Sequence, residues 1–190
     1  MRDRGKASGL AGDLADGGQV PPVERLPSWG SDDLAQVIGD EVDPFNSPQP
    51  AVTWLPKSEH FGIRIAGRLA AHAGIVTVPV VVENQDFPVI GFGGVIVARE
   101  YRGQGLGRLL MTAATERARE LGPEVGLLFC WLSRTGFYGR LGWQLFPAET
   151  SVVVEQPDGP ADMPMRSMWL PLREDATWPA GSVCLRSLPM

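Results

Sequence analysis

Cysteine and histidine are both scarce: the 190-residue chain holds two of each. Cys130 and Cys184 stand far apart, and neither has a second thiol or a histidine at metal-ligand spacing. Neither a disulfide scaffold nor a bound metal is therefore expected. Cys130 lies inside an apolar run, as a reduced core thiol does, which points to a cytoplasmic setting. Long hydrophobic runs are also missing. None reaches the roughly 20 residues that cross a bilayer, so no membrane role is expected. Positive charge is in deficit, with 22 acids against 17 bases and a net charge of −5. A chain without a basic footprint is not expected to bind nucleic acid. The opening MRDRGKASGLAGDLADGG starts basic but has no apolar h-region, because Gly12 and Asp13 interrupt it. Residues 1–20 offer little to bury and read as a disordered tail, leaving residues 21–190 as a single domain.

What remains has a core. Apolar residues make up 44% of the chain. Ser31 reads as the N-cap of a short helix, with Asp32 and Asp33 in its first turn and Leu34, Val37 and Ile38 as its apolar stripe. DPFNSPQPAVTWLP follows with four prolines, an irregular loop that serves either as plain connection or as a flap on the substrate side. From His60 the texture is β. HFGIRIAG and RLAAHAGIVTV read as two strands meeting near Gly67, and VPVVVEN and DFPVIGFGGVIVA as two more around Glu83–Asp86.

Between Gly105 and Leu121, apolar residues recur at spacings of three and four, and Gly122-Pro123 stops the helix. VGLLFCWL is apolar throughout, as a strand buried on both faces must be. SRTGFYGRLG reads as a short helix, and WQLF, TSVVVEQ and MPMRSMWLPL as closing strands. A β meander followed by alternating helices and strands predicts an α/β fold with a mixed sheet.

The stretch VIVAREYRGQGLGRLL joins a β-branched strand to a helix through Gly103, Gly105 and Gly107. The first N–H groups of a helix have no internal partners, and the helix dipole places about half a positive charge there. Glycines let a phosphate approach the main chain, and Arg102 can fork onto its oxygens. The turn suits a diphosphate. A dinucleotide fingerprint is not met, because Arg108 stands where the third glycine belongs, and no Gly-Lys-Ser/Thr follows for a P-loop. An NAD-dependent oxidoreductase is thereby disfavoured.

That stretch resembles the coenzyme A pyrophosphate motif of the GNAT superfamily of N-acetyltransferases. LLFCWLSRTGFYGRLGWQLF resembles the superfamily's second motif, and the two cover roughly residues 90–147. The resemblance implies a GNAT-like domain with a mixed, mostly antiparallel central sheet flanked by helices. It implies acetyl-CoA as co-substrate, without a metal. The main chain of Val95, Ile96 and Val97 would face the pantetheine arm. Arg102, Gly103, Gln104, Gly105, Leu106, Gly107 and Arg108 would cradle the pyrophosphate. The Val95 N–H would polarise the thioester carbonyl, and Tyr138 would protonate the departing thiolate, a task suited to a phenol. The general base stays unassigned, since His72, His60 and Glu100 each have ordinary structural readings.

The wider layout from residue 60 to 190 is similar to the aminoglycoside 2'-N-acetyltransferases, which grip polycationic sugars with carboxylates. On that likeness Asp162 and Trp178 would meet the acceptor. Gly93 replaces a glutamate of that pattern, however, and Ser182 and Cys184 replace an aspartate and a tryptophan. Each lost charge-assisted bond removes about 1.5–3 kcal/mol, so aminoglycosides are expected to be poor substrates. The expectation is an enzyme acetylating a primary amine of a small molecule. A peptide acetyltransferase and a non-catalytic acyl-CoA-binding module stay open, and nothing in the chain opposes a homodimer.

Overall fold

The computed structural model describes residues 21–42, 45, 52–147 and 149–190. The expected tail and most of the proline-rich loop lie outside them.

The spine is a meander of β2 (Glu59–Ile65), β3 (Arg68–Val82) and β4 (Gln85–Val97), joined by two-residue turns. Ala66 and Gly67 take positive φ in the first turn, Glu83 and Asn84 in the second, the geometry that matches strand twist in tight hairpins. The segments RLAAHAGIVTV and VPVVVEN are one strand, not two. Pro79 does not break it because Pro88 stands directly opposite, while the Pro79 carbonyl turns the other way to accept from Arg186 N at 3.3 Å.

A short β1 (Glu24–Leu26), which the sequence did not suggest, pairs with β2. Helix α1 (Ser31–Ile38) begins one residue earlier in its capping than expected. Gly30, not Ser31, is the N-cap, and Asp33 accepts from its N–H at 3.0 Å.

Helix α2 (Leu106–Glu120) crosses back over the meander, and β5 (Val125–Cys130) runs parallel to β4. A short helix α3 (Thr135–Gly139) leads to β6 (Gln144–Leu145). The chain continues through β7 (Val152–Val154), β8 (Ala161–Asp162), β9 (Arg166–Pro171) and β10 (Val183–Leu185). Seven pairings among the described strands are antiparallel, and two, β4–β5 and β7–β10, are parallel.

Both faces of the sheet are buried. Leu106, Leu110, Met111, Ala114 and Ala118 of α2 pack on Ile75, Ile90, Phe92 and Leu128. Across the sheet, Val78, Val80, Val89 and Leu127 meet Phe146, Val152 and Leu185. Strand β5 sends Leu128 and Cys130 to the first cluster and Val125, Leu127 and Phe129 to the second. That alternation accounts for its unbroken apolar sequence.

Candidate active site

Strands β4 and β5 pair only over Ile90–Phe92 with Gly126–Leu128. Beyond Phe92, β4 stays on β3 while β5 stays on β9, so the two parallel strands part. The opening is a cavity of about 1440 Å³, lined by β4 from Phe92 to Val97, the turn after it, and α3.

A bulge aims the edge of β4. His72 pairs with Ile96 and Gly74 with Gly93, so Gly94 and Val95 together oppose Ala73. Gly94 holds φ at +60°. Its carbonyl accepts from His72 Nδ1 at 2.8 Å, which fixes the proton on that nitrogen and leaves Nε2 to accept from His60 Nδ1 at 3.1 Å. Trp29 stacks on the His72 ring at 3.5 Å between centroids. Burial above all holds the His72 pKa down at about 4, so the ring is neutral, and the His60 pKa is lowered for the same leading reason. His72 is thus a hydrogen-bonded strand histidine that clamps the bulge.

Past the bulge, Ala98 N donates to Ala70 O at 2.8 Å, so Ala98 and Ile96 turn their main chain toward β3. Alternation then turns Val95 and Val97 toward the parted side. The Ile96 side chain is buried with Leu26, Val37 and Leu69.

At the end of β4, residues 99–101 make one 3-10 turn, and Gly103 and Gly105 take φ of +79° and +86°. A Cβ at either would meet open space, so backbone conformation is what requires glycine there. The main-chain amides of residues 103–107 engage no acceptor among the described residues, while those of Arg108 and Leu109 both donate to Gly105 O. Leu106 is buried beneath the turn, and Gln104 reaches back to Glu100 O at 3.1 Å.

One expectation for this turn changes. Gly107 has a packing role as well: a Cβ there would lie 3.3 Å from the Phe137 ring, so this glycine lets α3 pack on α2. Arg102 is not a free fork. Its guanidinium pairs with Glu41, and its Nε donates to Val97 O at 2.9 Å. The hydrogen bond that Arg102 donates to the Glu41 carboxylate, together with its charge, holds that carboxyl below its ordinary range. Arg108, Arg134 and Arg140 also line the cavity, and none forms an ion pair among the described residues.

Across the opening, Tyr138 sits on α3, edge-on to Phe137 at 4.9 Å and to Trp143 at 6.3 Å. Burial pushes its phenol well above the usual range, nearby Cys130 adds to this, and Arg134 opposes it. It stays protonated at any physiological pH. The Cys130 thiol, itself raised to about 11 by burial, is the reduced core group that its sequence context suggests.

Asp162 and Trp178 are not brought to this cleft. Asp162 is exposed on β8 and lines a separate small depression. Trp178 packs beneath the far face, 5.6 Å from Phe87 and 4.7 Å from Phe146, as part of the second core cluster. Gly181 and Ser182 dock the late chain on the β3–β4 turn, with Ser182 N donating to Glu83 Oε1 at 3.1 Å.

Lys57, which sequence reasoning passed over, does line the cleft. Burial lowers its pKa to about 8. Among the described residues no cluster of His, Cys, Asp or Glu is arranged to hold a metal, and no helix is long and apolar enough to cross a membrane.

The comparisons with known proteins agree with this geometry. The family model "Acetyltransferase (GNAT) domain" matches residues 35–146, more than half of the chain. No curated protein matches. A solved GNAT family N-acetyltransferase of Escherichia coli, YhbS, in complex with CoA, is 21% identical, covering 68% of each chain at a TM-score of 0.52. Escherichia coli ElaA is 19% identical over 80% of this chain and 99% of its own, with a TM-score of 0.53. A GCN5-related N-acetyltransferase of Kribbella flavida reaches 32% identity, but over 45% of this chain and only 22% of that one, at a TM-score of 0.41. The likeness to aminoglycoside 2'-N-acetyltransferases gains no support from them. A split sheet, a glycine turn with open amides and a partly buried tyrosine lining the same cleft thus meet a matching family model, and the chain belongs to the GNAT acetyltransferase superfamily.

Proposed function

We propose that this protein transfers the acetyl group of acetyl-CoA to a primary amine of a small molecule. The single observation that carries the reading is the parted edge of β4 and the open amides beside it. Val95 presents its main-chain groups to the cleft and Val97 its N–H, the Val97 carbonyl being held by Arg102, and residues 103–107 present unengaged amides at the start of α2. These fit the two polar parts of the co-substrate: an amide-bearing arm that adds like a strand, and a diphosphate on a helix N-terminus. Arg108, Arg134 and Arg140 supply positive charge around the phosphates, with Arg102 already tied to Glu41.

Direct transfer needs both substrates in line and no covalent enzyme intermediate, so holding them in register supplies much of the rate. The Val95 N–H points into the cleft as a donor for the developing oxyanion. Tyr138, kept protonated by burial, donates to the departing thiolate. The E. coli YhbS structure in complex with CoA, of the same fold, supports the co-substrate assignment.

The test is release of CoA thiol from acetyl-CoA against a panel of amines, polyamines, aminoglycosides and peptides. Turnover with small amines in preference to peptides is the expected result. Turnover with peptides alone would move the acceptor to proteins, and stabilisation by CoA without turnover on any amine would leave a binding module.

A further inference from the structure

The bulge leaves one peptide unit of β4 outside the ladder. His72 pairs with Ile96 and Gly74 with Gly93, so strand pairing does not set the direction of the Gly94–Val95 peptide. A trans peptide is planar, with its C=O and N–H pointing opposite ways. Whatever anchors the Gly94 oxygen therefore aims the Val95 N–H. The anchor is a side chain, His72, whose Nδ1 donates to Gly94 O at 2.8 Å. Gly94, at a φ of +60°, has the conformational freedom to rotate away if that bond is lost. Gly94 and Val95 line the cleft, whereas His72 is buried behind them.

The ring is held in turn. A carbonyl only accepts, so Nδ1 carries the proton and Nε2 is the acceptor for His60 Nδ1 at 3.1 Å. That second bond favours one tautomer, the one that donates to Gly94. Trp29, itself on the cleft wall, stacks on His72 with 3.5 Å between centroids and 15° between planes, which fixes the plane of the imidazole. The fit behind the bulge is close: a Cβ on Gly94 would lie 3.3 Å from His72 Cε1. His60, His72 and Trp29 thus form one packed unit with a single outlet toward the cleft, the Gly94 carbonyl.

We propose that His72 is a positioning residue for acetyl transfer. Through the Gly94 carbonyl it fixes the peptide plane that turns the Val95 N–H to the thioester oxygen, while His60 and Trp29 hold its tautomer and its plane. This rests on the acetyl-transfer reading above and adds the part that orients its oxyanion donor. His72 itself touches neither acetyl-CoA nor the acceptor. Without a donor at this place the Gly94–Val95 peptide would swing, and the N–H would leave its line with the developing oxyanion. The amides of residues 103–107 belong to another element and would still hold the diphosphate. Loss of the His72 donor should therefore fall on kcat and spare the affinity for acetyl-CoA.

The experiment compares the wild type, His72→Leu and His72→Asn, whose amide nitrogen stands near the place of Nδ1 and can donate to Gly94 O. Acetyl-CoA labelled with carbon-13 at the thioester carbonyl is bound to each, and its stretching frequency is read by difference infrared spectroscopy. Affinity for acetyl-CoA by calorimetry and kcat on the best amine of the panel above are measured in parallel. In His72→Leu the frequency should rise, kcat should fall by about 10²-fold and affinity should stay within about twofold. His72→Asn should restore most of the frequency and of kcat. An unmoved frequency in His72→Leu, a loss of affinity as large as the loss of kcat, or equal losses in the two variants would overturn the proposal. If His72→Leu does not fold, the wild type decides. Long-range nitrogen-15 spectra should place the His72 proton on Nδ1, and a proton on Nε2 instead would overturn the proposal. Failure of the wild type to bind acetyl-CoA sinks the acetyl-transfer reading. Binding and turnover with a carbonyl frequency indifferent to His72 sinks the positioning role alone.

Discussion

Tyr138 and His72 show how one physical cause, burial, sets two different roles. For Tyr138, loss of hydration keeps the proton on the phenol, which is what a donor to a thiolate requires. Removing the hydroxyl in Tyr138→Phe should lower kcat by about 10²–10⁴-fold and leave acetyl-CoA affinity near the wild-type value, read by steady-state kinetics beside calorimetry. For His72, burial favours the neutral ring that clamps the Gly94 carbonyl. The unfolded chain binds this proton near pH 6.5, the native one only near pH 4. Between those values the unfolded state carries more protons, so stability falls as the pH drops from 6.5 toward 4. Urea titrations across that range should show the loss, and His72→Asn should flatten it.

Single residues were also the least legible scale. The glycine turn was readable because strand, turn and helix are continuous in sequence. Lys57 was not, since its seat comes from Gly74 and Gly93, which only strand pairing brings together. The engagement of Arg102 with Glu41, 61 positions away, was hidden for the same reason.

At the level of elements, the turn into α2 couples conformation to binding. Gly105 holds φ at +86° as the N-cap of α2. An L-residue there costs about 1–2 kcal/mol. Gly105→Ala should therefore lower Tm by about 2–8 °C in a protein of this size, measured by calorimetry, and weaken acetyl-CoA binding because the amides it orients would turn. Helix α2 and strand β5 were legible throughout, the one by its period and the other by its unbroken apolar run. The union of two expected strands into β3 was not, because Pro79 reads as a break until Pro88 is known to face it. Strand β1 is three residues with no alternation to reveal it.

Across the whole molecule, the sheet is sealed on both faces over Ile90–Phe92 and open beyond, so the cleft exists because two strands follow different neighbours. The mixed α/β architecture was readable from element order, but the place where the sheet parts was not, since it is a matter of partnership and not of composition. The late chain illustrates the limit: its Trp178 motif was legible, yet the tryptophan serves the core of the far face and not the cleft.

The central claim is that the free edge of β4 and the amides of residues 103–107 hold acetyl-CoA. Amide hydrogen exchange on the intact protein, with and without acetyl-CoA, reads those groups themselves. Slowed exchange confined mainly to Val95, Val97 and residues 103–107 is the predicted result. Unchanged exchange there under saturating acetyl-CoA, or protection elsewhere alone, would contradict it.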